Sequence, residues 1–185
     1  MNFFNDILNP IELPLLKEFH DAIRCDFLDF IMPGISTLCK WGLFWIALAA
    51  VLLLFRETRK TGLTVALALA IGLILCNLIL KPVTARIRPY EVDTSIVLLL
   101  KKETEFSFPS GHTIASFEGA VGVFMHNRKW GTAAIVLAVL ISFSRLYLMM
   151  HYFTDVIVSA ILGTIIAVVA YHLGKWLIQK TKLPV

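Results

Sequence analysis

Charged residues are scarce in this 185-residue chain: Asp, Glu, Lys and Arg together make up 16%, against about 25% in an ordinary soluble domain. The shortage comes with an excess of apolar residues, 58% of the chain, and a mean hydropathy of +0.78. A globule of this size cannot hide so much apolar surface, so a soluble enzyme is excluded. Intrinsic disorder, which requires low hydrophobicity, is excluded as well. Cysteine is sparse and odd in number: Cys25, Cys39 and Cys76, with no CxxC pair. That excludes a disulfide framework and leaves three small buried hydrophobes. A basic segment followed by an apolar run is missing from residues 1–12, so no cleavable signal peptide is expected and the spans themselves direct insertion. Internal repeats and low-complexity stretches are missing too. The apolar runs are continuous and do not alternate, which argues against β-strands. The net charge of +4 fits a membrane protein with basic loops better than a nucleic-acid binder.

What the chain does have is a series of long apolar segments. A length of 185 residues suggests a single domain over 1–185, with room for five or six spans of about 20 residues each. Residues 1–34 are mixed. Leu16, Phe19, Ile23, Phe27 and Phe30 recur at helical spacing, with Lys17, Glu18, Asp21, Arg24 and Asp29 between them. This pattern predicts an amphipathic helix in the membrane interface or against the bundle, broken at Pro33-Gly34. A transmembrane core then runs over 35–178, with spans expected at 35–55, 63–80, 110–125, 130–147 and 152–178. Residues 81–109 form the longest polar segment.

Counting crossings puts the turns at 56–62 and 126–130 and the tail on one side. That side holds Arg56, Arg59, Lys60, Arg128, Lys129, Lys175, Lys180 and Lys182 against one acid, Glu57. The other side holds nine Lys and Arg, nearly the same count, but three of them belong to the candidate site and the rest are spread over two long segments, so the compact basic turns are placed in the cytoplasm. The segment 81–109 then faces outward.

The outer side collects the chemistry. Lys81, Arg86 and Arg88 end one span; Ser110, Gly111 and His112 open the next; Ser144 and Arg145 close another; His151 and Asp155 open the last. Ionisable groups at membrane ends are functional candidates by default. Several cations converging at four span ends suit an anionic ligand, and guanidinium groups grip phosphate in a bidentate manner. His151 and Asp155 stand four residues apart and share one helix face. A carboxylate there takes the Nδ1 proton and leaves Nε2 as a nucleophile. Ser110, Gly111 and His112 sit where a helix begins, so their backbone N–H groups are open to an anion. Two histidines on one anion suit phosphoryl transfer. Each piece alone has a plainer explanation: a structural His–Asp pair, a helix cap by Ser110, or interface anchors at Lys81 and Arg88. The joint occurrence, in order and on one side, outweighs these.

Together, Lys81-x6-Arg88-Pro89, Pro109-Ser110-Gly111-His112 and Ser144-Arg145-x5-His151-x3-Asp155 resemble the three signature motifs of the type 2 phosphatidic acid phosphatase (lipid phosphate phosphatase) family, whose site vanadium haloperoxidases share. The resemblance implies an all-α integral membrane bundle of five to six transmembrane helices, counting the N-terminal helix. It also implies metal-independent hydrolysis of a lipid phosphate or pyrophosphate through a phosphohistidine, with no cofactor, no metal and no nucleic acid. His151 would be the nucleophile, Asp155 would orient it, and His112 would serve the leaving oxygen and then the water. Lys81, Arg88, Ser110, Gly111 and Arg145 would bind phosphate. The small size is similar to that of bacterial members acting on undecaprenyl pyrophosphate, which is preferred, or on phosphatidylglycerophosphate or phosphatidic acid. This implies the bacterial cytoplasmic membrane, with the site facing out. A haloperoxidase-like enzyme and a non-catalytic headgroup-binding or transport protein are the rivals of another class.

Other residues have plainer expectations. His126 and His172 read as surface groups, and His20 has no assigned role. Glu118 and Asn77 must face protein, and Arg86 and Ser144 back up the site. Trp41, Trp130 and Trp176 read as interfacial belts. Ala115, Gly119, Ser159 and Gly163 are expected to let the spans at 110–125 and 152–178 approach closely. Tyr90, Lys101, Lys102 and Phe106 are candidates for the substrate entrance.

Overall fold

The computed structural model describes residues 2–181; Lys182 lies outside the described residues. Among these the fold is all-helical. A π-helical turn, Phe3–Leu8, leads into α1 (Asn9–Ile23), followed by α2 (Asp26–Leu38) and α3 (Leu43–Leu54). Helix α4 (Arg59–Gly72) continues through a π-helical stretch, Leu73–Leu80, into the short α5 (Lys81–Thr84). After α6 (Pro89–Val92) comes an irregular segment, and then α7 (Gly111–Phe124), α8 (Arg128–Tyr147) and α9 (Phe153–Thr181). Four stretches are long and apolar enough to cross a membrane: Asp26–Leu54, Arg59–Val92, Arg128–Tyr147 and Phe153–Lys180. The chain is an integral membrane protein.

Helix α7 is the hub, packing on α4, α8 and α9. Its 14 residues reach about 21 Å, short of the roughly 30 Å hydrocarbon core. Surrounded by longer helices, it need not meet lipid along its whole length. Gly163 on α9 allows the closest approach: a Cβ there would come 2.8 Å from the Ile114 carbonyl oxygen on α7. Gly119 does something else. A Cβ on it would lie 2.1 Å from Trp45 Cε3, so it makes room for the buried Trp45 of α3 and not for α9. Trp45 Nε1 also donates to Ser116 Oγ on α7 at 3.1 Å. Glu118 faces protein as expected, and Gly72 supplies the space, since a Cβ there would strike the Glu118 carboxyl.

The N-terminal third departs from the sequence reading. The helix does not break at Pro33-Gly34, but runs through to Leu38. Proline removes one backbone donor, a loss that membrane helices tolerate, and Thr37 Oγ1 donates to the Pro33 carbonyl at 2.7 Å. The breaks fall elsewhere. Arg24 and Cys25 are extended, separating α1 from α2. Trp41 and Gly42 take positive φ values of 55° and 70°, bending α2 into α3. The first apolar stretch therefore begins at Asp26, nine residues before the expected start. Trp41, Trp130 and Trp176 are exposed, as interfacial residues should be.

The basic turns between α3 and α4 and between α7 and α8 lie at one end of the bundle. At the other end the C-termini of α5 and α8 meet the N-termini of α7 and α9, together with the 85–110 segment.

Candidate active site

Each predicted site residue sits at that second end because a helix boundary puts it there. Lys81 opens α5, and Arg88 caps α6 with extended backbone. Ser110 is the N-cap of α7, its Oγ accepting from Thr113 N. Arg145 lies in the last turn of α8. His151 occupies the turn before α9, and Asp155 lies in that helix's first turn. The fold brings all of them together. Arg88, Arg145 and His151 are each about 1% exposed and Asp155 is fully buried.

His151 is held by both ring nitrogens. Nε2 stands 3.3 Å from Arg88 Nη1. Guanidinium only donates, so Nε2 presents its lone pair to the cationic side. Nδ1 faces Asp155 Oδ2 at 3.4 Å and Ser107 Oγ at 3.5 Å. Burial, reinforced by Arg88 and Arg145, pushes the His151 pKa well below its ordinary value, so the ring is neutral.

Asp155 is gripped more tightly by groups other than His151. Its Oδ1 accepts from Arg86 Nη1 at 2.5 Å. Its Oδ2 accepts from Ser107 Oγ at 2.5 Å and from Tyr152 N at 3.0 Å. Arg86 in turn donates to Asn9 Oδ1 at 2.8 Å and Thr154 Oγ1 at 2.7 Å, stands 3.5 Å from Glu12, and stacks 4.0 Å over Tyr152. Two elements of the N-terminal third thus reach the site. From α1, Asn9 and Glu12 brace Arg86, and from α2, Ser36 accepts from Arg145 Nη1 at 2.6 Å.

The cations form a cradle. Arg88 is fixed by Nε to the Glu105 carbonyl at 2.7 Å and by Nη1 to the Met150 carbonyl at 3.0 Å. Lys81 Nζ would lie 3.8 Å from a Cβ on Gly111, which places the start of α7 on the same cavity. The Gly111 and His112 backbone N–H groups have no acceptor among the described residues. Ser110 differs from expectation in its backbone alone: its N–H donates to Ser159 Oγ at 2.8 Å, whereas its hydroxyl accepts from Thr113 and has no acceptor for its own O–H among the described residues, which leaves that donor for a ligand.

Acids fill the cradle. Glu103 Oε1 accepts from Arg145 Nη2 at 2.6 Å, and its Oε2 from Arg88 Nη2 at 2.7 Å. Glu105 pairs with Lys81. Burial opposes the charged form of Glu103, but the Arg145 and Arg88 guanidinium groups outweigh it and hold its pKa at about 2. His112 and His151 both lie near this same carboxylate.

A family model, the PAP2 superfamily, matches residues 60–179. The chain belongs to the PAP2 superfamily. It is 38% identical over 130 residues to a Sulfolobus acidocaldarius protein named undecaprenyl-diphosphatase, covering 69% of this chain and 63% of that one. The match thus spans just under two thirds of that relative's length. It is 30% identical over 158 residues to phosphatidylglycerophosphatase B of Bacillus subtilis, covering 78% and 74%. The crystal structure of a transmembrane PAP2-type phosphatidylglycerolphosphate phosphatase from Bacillus subtilis superposes with a TM-score of 0.73 at 26% identity, covering 94% of this chain and 89% of that one.

In this PAP2 chain the three motifs are spatially one site. Sequence reasoning missed the bracing by Asn9, Glu12 and Ser36, since nothing local marks α1 and α2 as neighbours of the motifs. It also missed Ser107 and the two loop acids. The only available signal was their place within eight residues of the PSGH tetrapeptide. Tyr90, a candidate for the entrance, is buried instead: its hydroxyl donates to the Glu103 carbonyl and accepts from the Glu103 N–H, each at 3.0 Å. Lys101, Lys102 and Phe106 are exposed beside it.

Proposed function

We propose that this chain hydrolyses a lipid phosphate or pyrophosphate through a phosphohistidine on His151, with undecaprenyl pyrophosphate the preferred substrate. The observation that carries the reading is the pairing of Arg88 and Arg145 on two oxygens of one carboxylate, beside the lone pair of His151 Nε2. Two guanidinium groups spaced to hold two oxygens of one anion suit a phosphoryl group.

Phosphate displaces Glu103 and Glu105, and its oxygens take Lys81, Arg88, Arg145 and the Gly111 and His112 N–H groups. Nε2 of His151 attacks phosphorus as the bond to the lipid oxygen breaks, and His112, charged once the phosphate anion has entered beside it, gives its proton to that oxygen. For a pyrophosphate the departing group is the lipid monophosphate. Water then attacks the phosphohistidine, His112 takes its proton, and the P–N bond breaks to release inorganic phosphate. Asp155 compensates the positive charge that His151 gains in the first step, and Arg86 and Ser107 hold Asp155 in place.

The basic turns lie at the end opposite the site, which supports an outward-facing site. That face suits recycling of a lipid carrier pyrophosphate. The names of the Sulfolobus and Bacillus relatives support the lipid-phosphate class. The test is phosphate release in detergent from a panel of lipid monophosphates and pyrophosphates, with EDTA and vanadate as controls. Fastest turnover of undecaprenyl pyrophosphate, indifference to EDTA and inhibition by vanadate are expected. Full activity in His151→Ala would overturn the mechanism.

A further inference from the structure

We propose that Glu103 and Glu105 determine substrate specificity: their carboxylates occupy the empty phosphate cradle, and only a headgroup carrying more charge than a carboxylate displaces them. This rests on the reading of Lys81, Arg88 and Arg145 as that cradle.

Three observations support it. First, one short segment engages all three cations: Glu103 takes both arginines and Glu105 takes Lys81. The two acids stand two residues apart on irregular chain, and their ion pairs show both side chains turned to the cradle. Secondly, the cradle is shut while they are in place. Arg88, Arg145 and His151 have about 1% of their surface exposed, whereas the side chains of Glu103 and Glu105 are 32% and 59% exposed. The acids are the solvent-facing cover. Thirdly, the Glu103 backbone is pinned on both sides by the Tyr90 hydroxyl, so the carboxylate leaves by side-chain rotation and no loop opening is needed. With its pKa at about 2, Glu103 is not released by protonation near neutral pH, and a competing anion must do it.

The consequence for selection is electrostatic. A bilayer surrounds the site with phosphodiester headgroups at high local concentration, each carrying one phosphate charge. A bare cradle of three cations would bind them. With two carboxylates in place the cradle is left with one net positive charge. A phosphodiester that displaces both carboxylates puts one negative charge where there were two, and is disfavoured. A terminal phosphate brings about two charges near pH 7 and replaces them in full, and a pyrophosphate brings more.

The experiment uses the full-length protein in detergent with Glu103→Gln, Glu105→Gln and the double variant, all isosteric and at partly exposed positions. Thermal unfolding is followed with inorganic phosphate, and separately with phosphatidylglycerol in mixed micelles, as the probes. Hydrolysis of a lipid pyrophosphate is measured with phosphatidylglycerol as competitor. In Glu103→Gln, phosphatidylglycerol should inhibit at least tenfold more strongly than in the wild type, and phosphate should bind at least tenfold more tightly. The ligand-free variant should melt lower and be rescued by phosphate, which a purely structural defect would not show. Unchanged inhibition and phosphate affinity would overturn the proposal. So would weaker binding of either probe, which would make the glutamates ligands for substrate. Should Glu103→Gln fail to fold, Glu105→Gln carries the same test at Lys81. The binding arm needs no turnover. A wild type inert on every lipid phosphate, yet with a phosphate response that Glu103→Gln enlarges, would sink the phosphatase reading and leave this one standing.

Discussion

Arg86 Nη1 and Asp155 Oδ1 lie 2.5 Å apart, and neither side chain is exposed at all. The nearer neighbour of the carboxylate is thus this guanidinium and not the His151 ring, 3.4 Å away. A buried ion pair contributes little net stability compared with apolar packing, but breaking one partner away from the other costs about 3–5 kcal/mol.

Arg86→Met should therefore destabilise the protein by about 3–5 kcal/mol. Because Asp155 Oδ1 then loses the donor that fixes the carboxylate beside His151, with only Ser107 and the Tyr152 N–H left on Oδ2, kcat should also fall. Arg86→Lys, which keeps the charge, should restore part of kcat. The checks are melting temperature and phosphate release. Equal kcat in the Met and Lys variants would show that the charge at Arg86 does not act through Asp155.

His151→Ala should abolish phosphate release. His112→Ala should lower it by about 10²–10⁴-fold, the range for a positioned acid or base. With its hydrolytic base gone, the His112 variant should also accumulate an acid-labile phosphoenzyme from a labelled lipid substrate with a good leaving group. Failure of label to appear in any variant retaining His151 would count against a covalent route.

Acid should weaken the fold. The pKa of His151 is lowered in the folded protein by burial and its arginines, so below about pH 6.5 the unfolded chain binds a proton that the native one refuses. Glu103, at about 2 in place of 4.5, acts in the same direction: its contribution is full above pH 4.5 and lost as pH falls towards 2. The melting temperature should fall steadily as pH drops from 7 to 4. Glu103→Gln should flatten the part of that slope below pH 5. A melting temperature that rises on acidification would contradict both assignments.

Gly119→Ala should cost about 1–3 kcal/mol through overpacking against the Trp45 ring, since the new methyl would sit 2.1 Å from Cε3. Trp45→Ala opens a cavity and is itself destabilising. Combined with Gly119→Ala, it should recover part of the loss. Denaturation of the four proteins in a double-mutant cycle measures the coupling, and strict additivity would mean that Gly119 is not there for Trp45.

The helices α7, α8 and α9 were legible in the sequence to within two or three residues, because continuous apolar runs ended by Asn127, Ser110 and the basic turns leave little choice. The motif residues were legible for the same reason: each sits at a helix end. The N-terminal third was less so. Pro33-Gly34 looked like a stop, but a membrane helix carries one proline without ending. The true bends at Arg24–Cys25 and Trp41–Gly42 have weaker local signals. Gly119 looked like a contact for the last span, because four-residue spacing cannot say which neighbour a small residue faces. The Ser110 backbone N–H looked open to a ligand, and only the fold reveals Ser159 across from it.

The family match begins at residue 60, but the guanidinium groups of Arg86 and Arg145 lean on Asn9, Glu12 and Ser36. A fragment cut to the matched region would strand both groups in the interior with fewer acceptors. Replacing the first two helices with those of another member therefore means exchanging these three residues together with whatever guanidinium partners they serve, as one inseparable unit of inheritance.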